Sequence, residues 1–180
     1  MSSTSGDHEP NLPTDTATPA PAKTITLKTA DANYFEVEEP VAMEFATVKT
    51  FFDDNTETTF GTVIPLPNVL AEPLSLIIQY CKRNLKFRAE SAPEEARKAY
   101  DADFVKELSN EQLRELILAV NYLDIKNLLD VLNQAVADRI KNKSVEYVRQ
   151  FFGIENDFTP EEEARLREEN AWAFEGVDED

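Results

Sequence analysis

The chain has 180 residues, 42% of them hydrophobic, and carries thirty-five acidic against eighteen basic side chains for a net charge of −17. That length and apolar content bury one core of ordinary size, so one domain with appendages is expected. The charge argues against nucleic acid and anionic membrane as partners, since both are held by Lys and Arg. With no long apolar run and no signal-like core in residues 1–23, a cytosolic or nuclear protein is expected.

Residues 1–23, "MSSTSGDHEPNLPTDTATPAPAK", are rich in Pro, Ser and Thr and hold no aromatic side chain. Such a segment buries too little surface to offset its ordering entropy, and it reads as a disordered tail. His8, the chain's single histidine, lies in it and is therefore a poor candidate for a ligand or base. From Lys23 the pattern changes. Ile25 and Leu27 alternate with polar neighbours, as do Phe35 and Val37, and the intervening "TADAN" is turn-like, so a hairpin is expected. Val41, Phe45, Val48 and Phe52 have the spacing of one amphipathic helix. A polar loop, "DDNTETTFG", leads to a strand at "TVIPL", which Pro65 and Pro67 place at a sheet edge or a strand end. Pro73 then suits position N1 of a helix with Leu74, Ile77, Ile78 and Cys81 on its inner face. Cys81 cannot form an internal disulfide and reads as a small core residue rather than a reactive thiol.

"KRNLKFRAESAPEEARKAY" breaks the apolar pattern and reads as an exposed loop with a helical turn after Pro93. Its basic cluster is either a docking patch or a solvated helix end whose cations face the C-terminal dipole. The second half is helical by its local signals. Ser109 and Gln112 form a capping box ahead of "LILAVNYLDIKNLLDVL", Leu116 to Leu132. That segment has more apolar surface than one stripe needs. Leu113, Leu116, Ile117 and Val120 make the stripe, while Leu118, Ala119 and Tyr122 fall outside it. Either it runs through the middle of the protein or a partner covers part of it.

A second helix is expected from Asp124, with Ile125, Leu128, Leu129, Leu132, Val136 and Ile140 on one face. A third, capped by Ser144, is closed by Gly153. Thr159, Pro160 and Glu162 fit N-cap, N1 and N3 of a fourth, with Glu161–Arg165 and Glu163–Arg167 as i,i+4 pairs. The middle of this helix is almost devoid of apolar residues, and its aromatics, Trp172 and Phe174, come late, which suits a partner-binding arm. Glu155 to Asp180 carries eleven acidic and two basic residues, so the acid is concentrated at the end.

Four glycines, at 6, 61, 153 and 176, build neither GxGxxG nor a P-loop, and no CxxC, HExxH or GxSxG occurs. "DDNTETTFGTVI" fails as a calcium loop at Thr58, where Gly is needed, and at Ile64, where Glu is needed. No enzyme, cofactor or metal is expected.

The segments "LILAVNYLDIKNLLDV" and "NDFTPEEEARLREENAWAF", in this order and spacing, resemble the Skp family, the adaptor subunit of SCF (Skp, cullin, F-box) ubiquitin ligases; "IPLPNV" and "IIQYC" agree in the first half. The similarity runs from about Thr24 to Glu175. It implies a mainly helical α+β protein: a BTB/POZ-like domain over 24–108 with an exposed loop near 82–99, helices over 109–143 that complete the core and contact partners, and a C-terminal F-box-binding arm over 144–180. It implies F-box proteins and a cullin N-terminal domain as partners, with no nucleic acid, membrane or small-molecule substrate. By matching positions, Asn121 and Tyr122 are the cullin-contacting pair, and Leu113, Ile117, Leu129, Val136, Phe152, Ile154 and Trp172 are the F-box-facing apolar set. Arg114 departs from the family, whose members usually carry an aromatic there. The alternatives are another BTB-type scaffold, elongin-C-like or self-associating, and an acidic enzyme acting through carboxylates.

Overall fold

In the computed structural model the described residues are 23–54 and 62–177, so the tail over 1–22, with His8, and most of the "DDNTETTFG" loop lie outside them. The expected hairpin forms from β1 (Thr24–Thr29) and β2 (Tyr34–Glu38), antiparallel with Ile25 opposite Val37 and Leu27 opposite Phe35. Its turn is held by Thr29, whose hydroxyl donates to Asp31 at 2.6 Å and accepts from the Asn33 N–H at 3.1 Å. β3 (Val63–Leu66) runs parallel to β1 at the sheet edge, in the order β2-β1-β3, and sets Ile64 and Leu66 beside Leu27 and Thr29 on the buried face. Pro65 is tolerated because an edge strand has one side with no ladder to feed.

The stripe of Val41, Phe45 and Val48 is buried as expected, but it belongs to two helices rather than one. α1 (Glu39–Ala42) stops at Met43, and α2 (Ala46–Asp54) restarts after Phe45. The break lets Phe45, fully buried, reach the core from the junction. α3 (Ala71–Ala89) begins two residues before the expected start, with Leu70 as N-cap and Pro73 in the third helical position. The cap comes from the hairpin turn. The Asp31 carboxylate accepts the Ala71 N–H at 3.2 Å, satisfying a first-turn donor from forty residues away. The Thr29 hydroxyl, before other hydrogen bonds, holds this carboxyl below its usual range.

The stretch expected as a loop near 82–99 is instead mostly helix. α3 continues through it, residues 90–93 make the turn, and α4 (Glu94–Lys106) follows. An aromatic cluster organises it. Tyr80 stacks on Tyr100 at 5.8 Å and meets Phe104 at 5.0 Å, while Arg83 lies over the Phe87 ring at 4.3 Å. The basic cluster is thus divided between this cation–π contact and the helix end, where Arg88 pairs with Glu44 at 2.6 Å.

α5 (Asn110–Leu123) has the expected capping box, and Asp124, at φ 52°, is its left-handed C-cap rather than the start of the next helix. α6 (Lys126–Ile140) follows with Ile125 as N-cap. Arg139 ties α6 back to the α4–α5 junction, donating to the Val105 and Leu108 carbonyls at 2.7 Å each and to Asn110 at 2.8 Å. α7 (Val145–Phe152) has the expected Ser144 cap and Gly153 stop, the latter at φ 67°. α8 (Pro160–Glu169) has the Thr159–Glu162 capping box and leads to one 3₁₀ turn, Ala171–Phe174. Of its expected pairs, Glu163–Arg167 forms at 3.5 Å, whereas Arg165 turns to Glu169 at 3.8 Å.

One core joins the two halves. Leu113, Leu116, Ala119, Val120 and Leu123 of α5 are buried between α3 and α2 on one side and α6 and α7 on the other. The apolar excess of α5 therefore has mostly internal partners, and the mainly helical α+β architecture is the one observed. Among the described residues no helix is long and apolar enough to cross a membrane.

Candidate functional site

Cys81 gives no chemistry. It is buried, and desolvation pushes its thiol up to about 12, so the nucleophilic thiolate is essentially absent at neutral pH. What the described residues offer is exposed apolar surface: apart from Tyr34 and Val63 on the sheet and Leu70 before α3, it lies in two places.

The first lies on the outer face of α5. Leu118 is 69% exposed although the residues flanking its turn are core. Asn121 and Tyr122 follow it by three and four residues and so share its face. Asn121 is exposed and Tyr122 half-buried against the core. α2 braces this edge, since the Thr47 hydroxyl donates to the Tyr122 carbonyl at 2.6 Å. Leu118 falls outside the stripe read from the sequence, and no described residue covers it.

The second lies on the C-terminal arm. Phe152, Ile154, Phe158 and Trp172 are 41%, 59%, 46% and 74% exposed. Phe151, by contrast, is buried and anchors α7, with Phe152 edge-on to it at 4.9 Å. Ile117 on α5 and Leu129 and Val136 on α6 are half-buried against the core. Leu129 and Val136, seven residues apart, share one face of α6. Leu113 is fully buried and presents no surface in the free chain.

α8 is held by charge rather than by an apolar stripe. Glu163 accepts from Arg149 and from Asn156, each at 3.1 Å, and these hydrogen bonds, Arg149 first, hold its carboxyl below the ordinary range. The Arg149–Glu163 pair is substantially covered, with side chains 18% and 26% exposed. Arg167 reaches both Glu146 on α7 and Glu163, and lies over the Phe174 ring at 5.5 Å. Between α7 and this arm an open apolar cleft is lined by Val145, Phe158, Leu166, Trp172 and Phe174. The arrangement presents aromatics on a braced frame, which is the anatomy of a protein-binding hot spot.

Two sequence-family models match the chain: Skp1 family, tetramerisation domain, over residues 23–86, and Skp1 family, dimerisation domain, over residues 126–173. SKP1-like protein 1A of Arabidopsis thaliana is 48% identical over 162 residues, covering 86% of this chain and 99% of that protein. SKP1-like protein 14 of the same plant is 45% identical over 151 residues, covering 84% and 97%. SKP1-like protein 20 of Oryza sativa subsp. japonica is 44% identical over 169 residues, covering 84% and 94%.

Proposed function

The chain belongs to the Skp1 family, and from that membership we infer that it is the adaptor of an SCF-type ubiquitin ligase, joining a cullin scaffold to F-box substrate receptors so that bound substrates are ubiquitinated. The observation that carries this reading is exposed apolar side chains at two places on one core, on α5 and on the C-terminal arm. A bridge needs two faces that can be occupied together.

The α5 face takes the cullin N-terminal domain through Asn121 and Tyr122, to which the geometry adds Leu118. The arm and the α6 shoulder take the F-box through Ile117, Leu129, Val136, Phe152, Ile154 and Trp172. Leu113 lies under this surface and supports it from the core side. The adaptor itself makes and breaks no bond. By holding receptor and cullin on one scaffold it raises the effective concentration of substrate lysines near the activated ubiquitin. Substrate choice resides in the F-box protein. A contact spread over several helices is expected to exceed the roughly 1,600 Å² of a standard interface. The elongin-C-like and self-associating alternatives are not favoured, because the family match extends across residues 126–173, where the arm lies.

The test is reconstitution. Ubiquitin transfer to an F-box-bound substrate is measured with a cullin, its RING partner and the activating and conjugating enzymes, with and without this chain. Transfer that depends on the chain supports the adaptor role; transfer unaffected by its addition overturns it.

A further inference from the structure

Arg114 supplies the buried side-chain polar atom that, among the described residues, has no hydrogen-bond partner: its Nε is closed off from solvent and meets no acceptor. The side chain leaves α5 and lies against the C-terminal end of α7. Its Nη1 is 2.8 Å from the point that a Cβ on residue 153 would occupy, so the glycine there makes room for it. The partial negative charge of a helix C-terminus explains how the guanidinium is tolerated at this point without a carboxylate. Asn110, Glu111, Tyr147, Gln150 and Phe151 line the half-open slot around it, and Glu111, although nearby, forms no ion pair with it. Immediately beyond Phe151 on the chain stand Phe152 and Ile154, both exposed.

An unpaired cation therefore sits at the margin of an apolar binding surface. A partner that laid an apolar side chain over it would strip its remaining water and leave the charge uncompensated, which is strongly unfavourable. A partner that brought a carboxylate would meet a planar fork suited to bidentate pairing. The chain as a whole, at −17, repels an acidic partner, so this is a place where an acidic anchor is accepted. We propose that Arg114 is a specificity-determining residue that selects F-box domains presenting an Asp or Glu side chain to the slot between α5 and α7. The inference rests on the F-box reading of this face.

The test is a selection. A displayed library of F-box domains, randomised across the contact surface, is panned against the native full chain and against Arg114→Phe. The native chain is expected to enrich Asp or Glu at one library position about tenfold over the variant. Changing that residue to Lys in a selected domain should weaken binding to the native chain by at least about tenfold and leave binding to Arg114→Phe unchanged. Arg114→Lys, which keeps the charge and loses the fork, should retain only part of the preference. If Arg114→Phe fails to fold, the partner's charge reversal against the native chain decides alone. Equal enrichment on both chains, or indifference of the native chain to the reversal, overturns the proposal while the recovered binders leave the F-box reading standing. Recovery of no binder by a folded native chain overturns both.

Discussion

Truncating Trp172 separates what this residue does for folding from what it does for binding. In the free chain it is 74% exposed, so its indole contributes little to the core and most of its surface is left for a partner to cover. A tryptophan side chain offers roughly 200 Å², which leaves about 150 Å² open here and, at about 25 cal/mol per Å², makes full coverage worth about 4 kcal/mol. Ordering of the arm and imperfect fit remove about half of that. Trp172→Ala is therefore expected to weaken F-box binding by about 2 kcal/mol, roughly a thirtyfold rise in Kd. Calorimetric titration of an F-box domain reads the affinity, and a thermal melt of the unbound variant reads stability. The melt should be unchanged. An unchanged Kd removes Trp172 from the binding surface, and a large fall in Tm with little change in Kd shows that it belongs to the core after all.

Leu118→Asp, on the outer face of α5, should weaken cullin binding at least about tenfold while leaving F-box binding intact, because the residue stands outside the core; parallel titrations with both partners check it, and equal loss of both would point to misfolding instead. The arm should respond to acid through Glu163. Its folded-state value lies below the ordinary 4.5, so its stabilising hydrogen bonds hold above that value and are lost as pH falls through the depressed one. Emission from the single tryptophan should report release of the arm in acid, and Glu163→Gln should abolish or displace that transition; an identical transition in the variant would show that other groups hold the arm. Gly153→Ala should cost about 1–2 kcal/mol in a denaturant melt, because φ is positive there. Arg114 Nη1 is the movable end of a long side chain, so adding Arg114→Ala should restore less than half; full restoration would place the cost in the contact rather than the backbone.

The parts of the fold that sequence foretold are those specified by neighbours in the chain. The capping boxes at Ser109 and Thr159, the Ser144 cap and the Gly153 stop each require only a short local pattern, and all four lie where expected. The hairpin follows from alternation on both sides of the turn-like "TADAN". What was hidden depends on distant partners. α3 starts early because Asp31 caps it from the hairpin turn, and no residue near Pro73 announces that. The stretch after Cys81 looked like a loop because its apolar residues are sparse, yet Phe87, Tyr100 and Phe104 are drawn together across two helices. α8 lacked an apolar reason to dock, and its reason is the covered Arg149–Glu163 pair, which spacing along one helix cannot reveal. The candidate surfaces follow the same division. Trp172 stands out by its residue type at the end of a charged helix, and helical spacing already separates Leu113, fully buried, from Leu118, which faces outward; only packing decides that Ala119, also off the stripe, is buried.

A bridge requires that the two surfaces be occupied together. The most direct measurement titrates a cullin N-terminal domain by calorimetry first into the chain alone and then into its preformed complex with an F-box domain. One-to-one binding is expected in both titrations, at least as tight to the complex as to the free chain. Loss of cullin binding once the F-box domain is bound would mean that the surfaces are not independent, and this chain would not be a bridge.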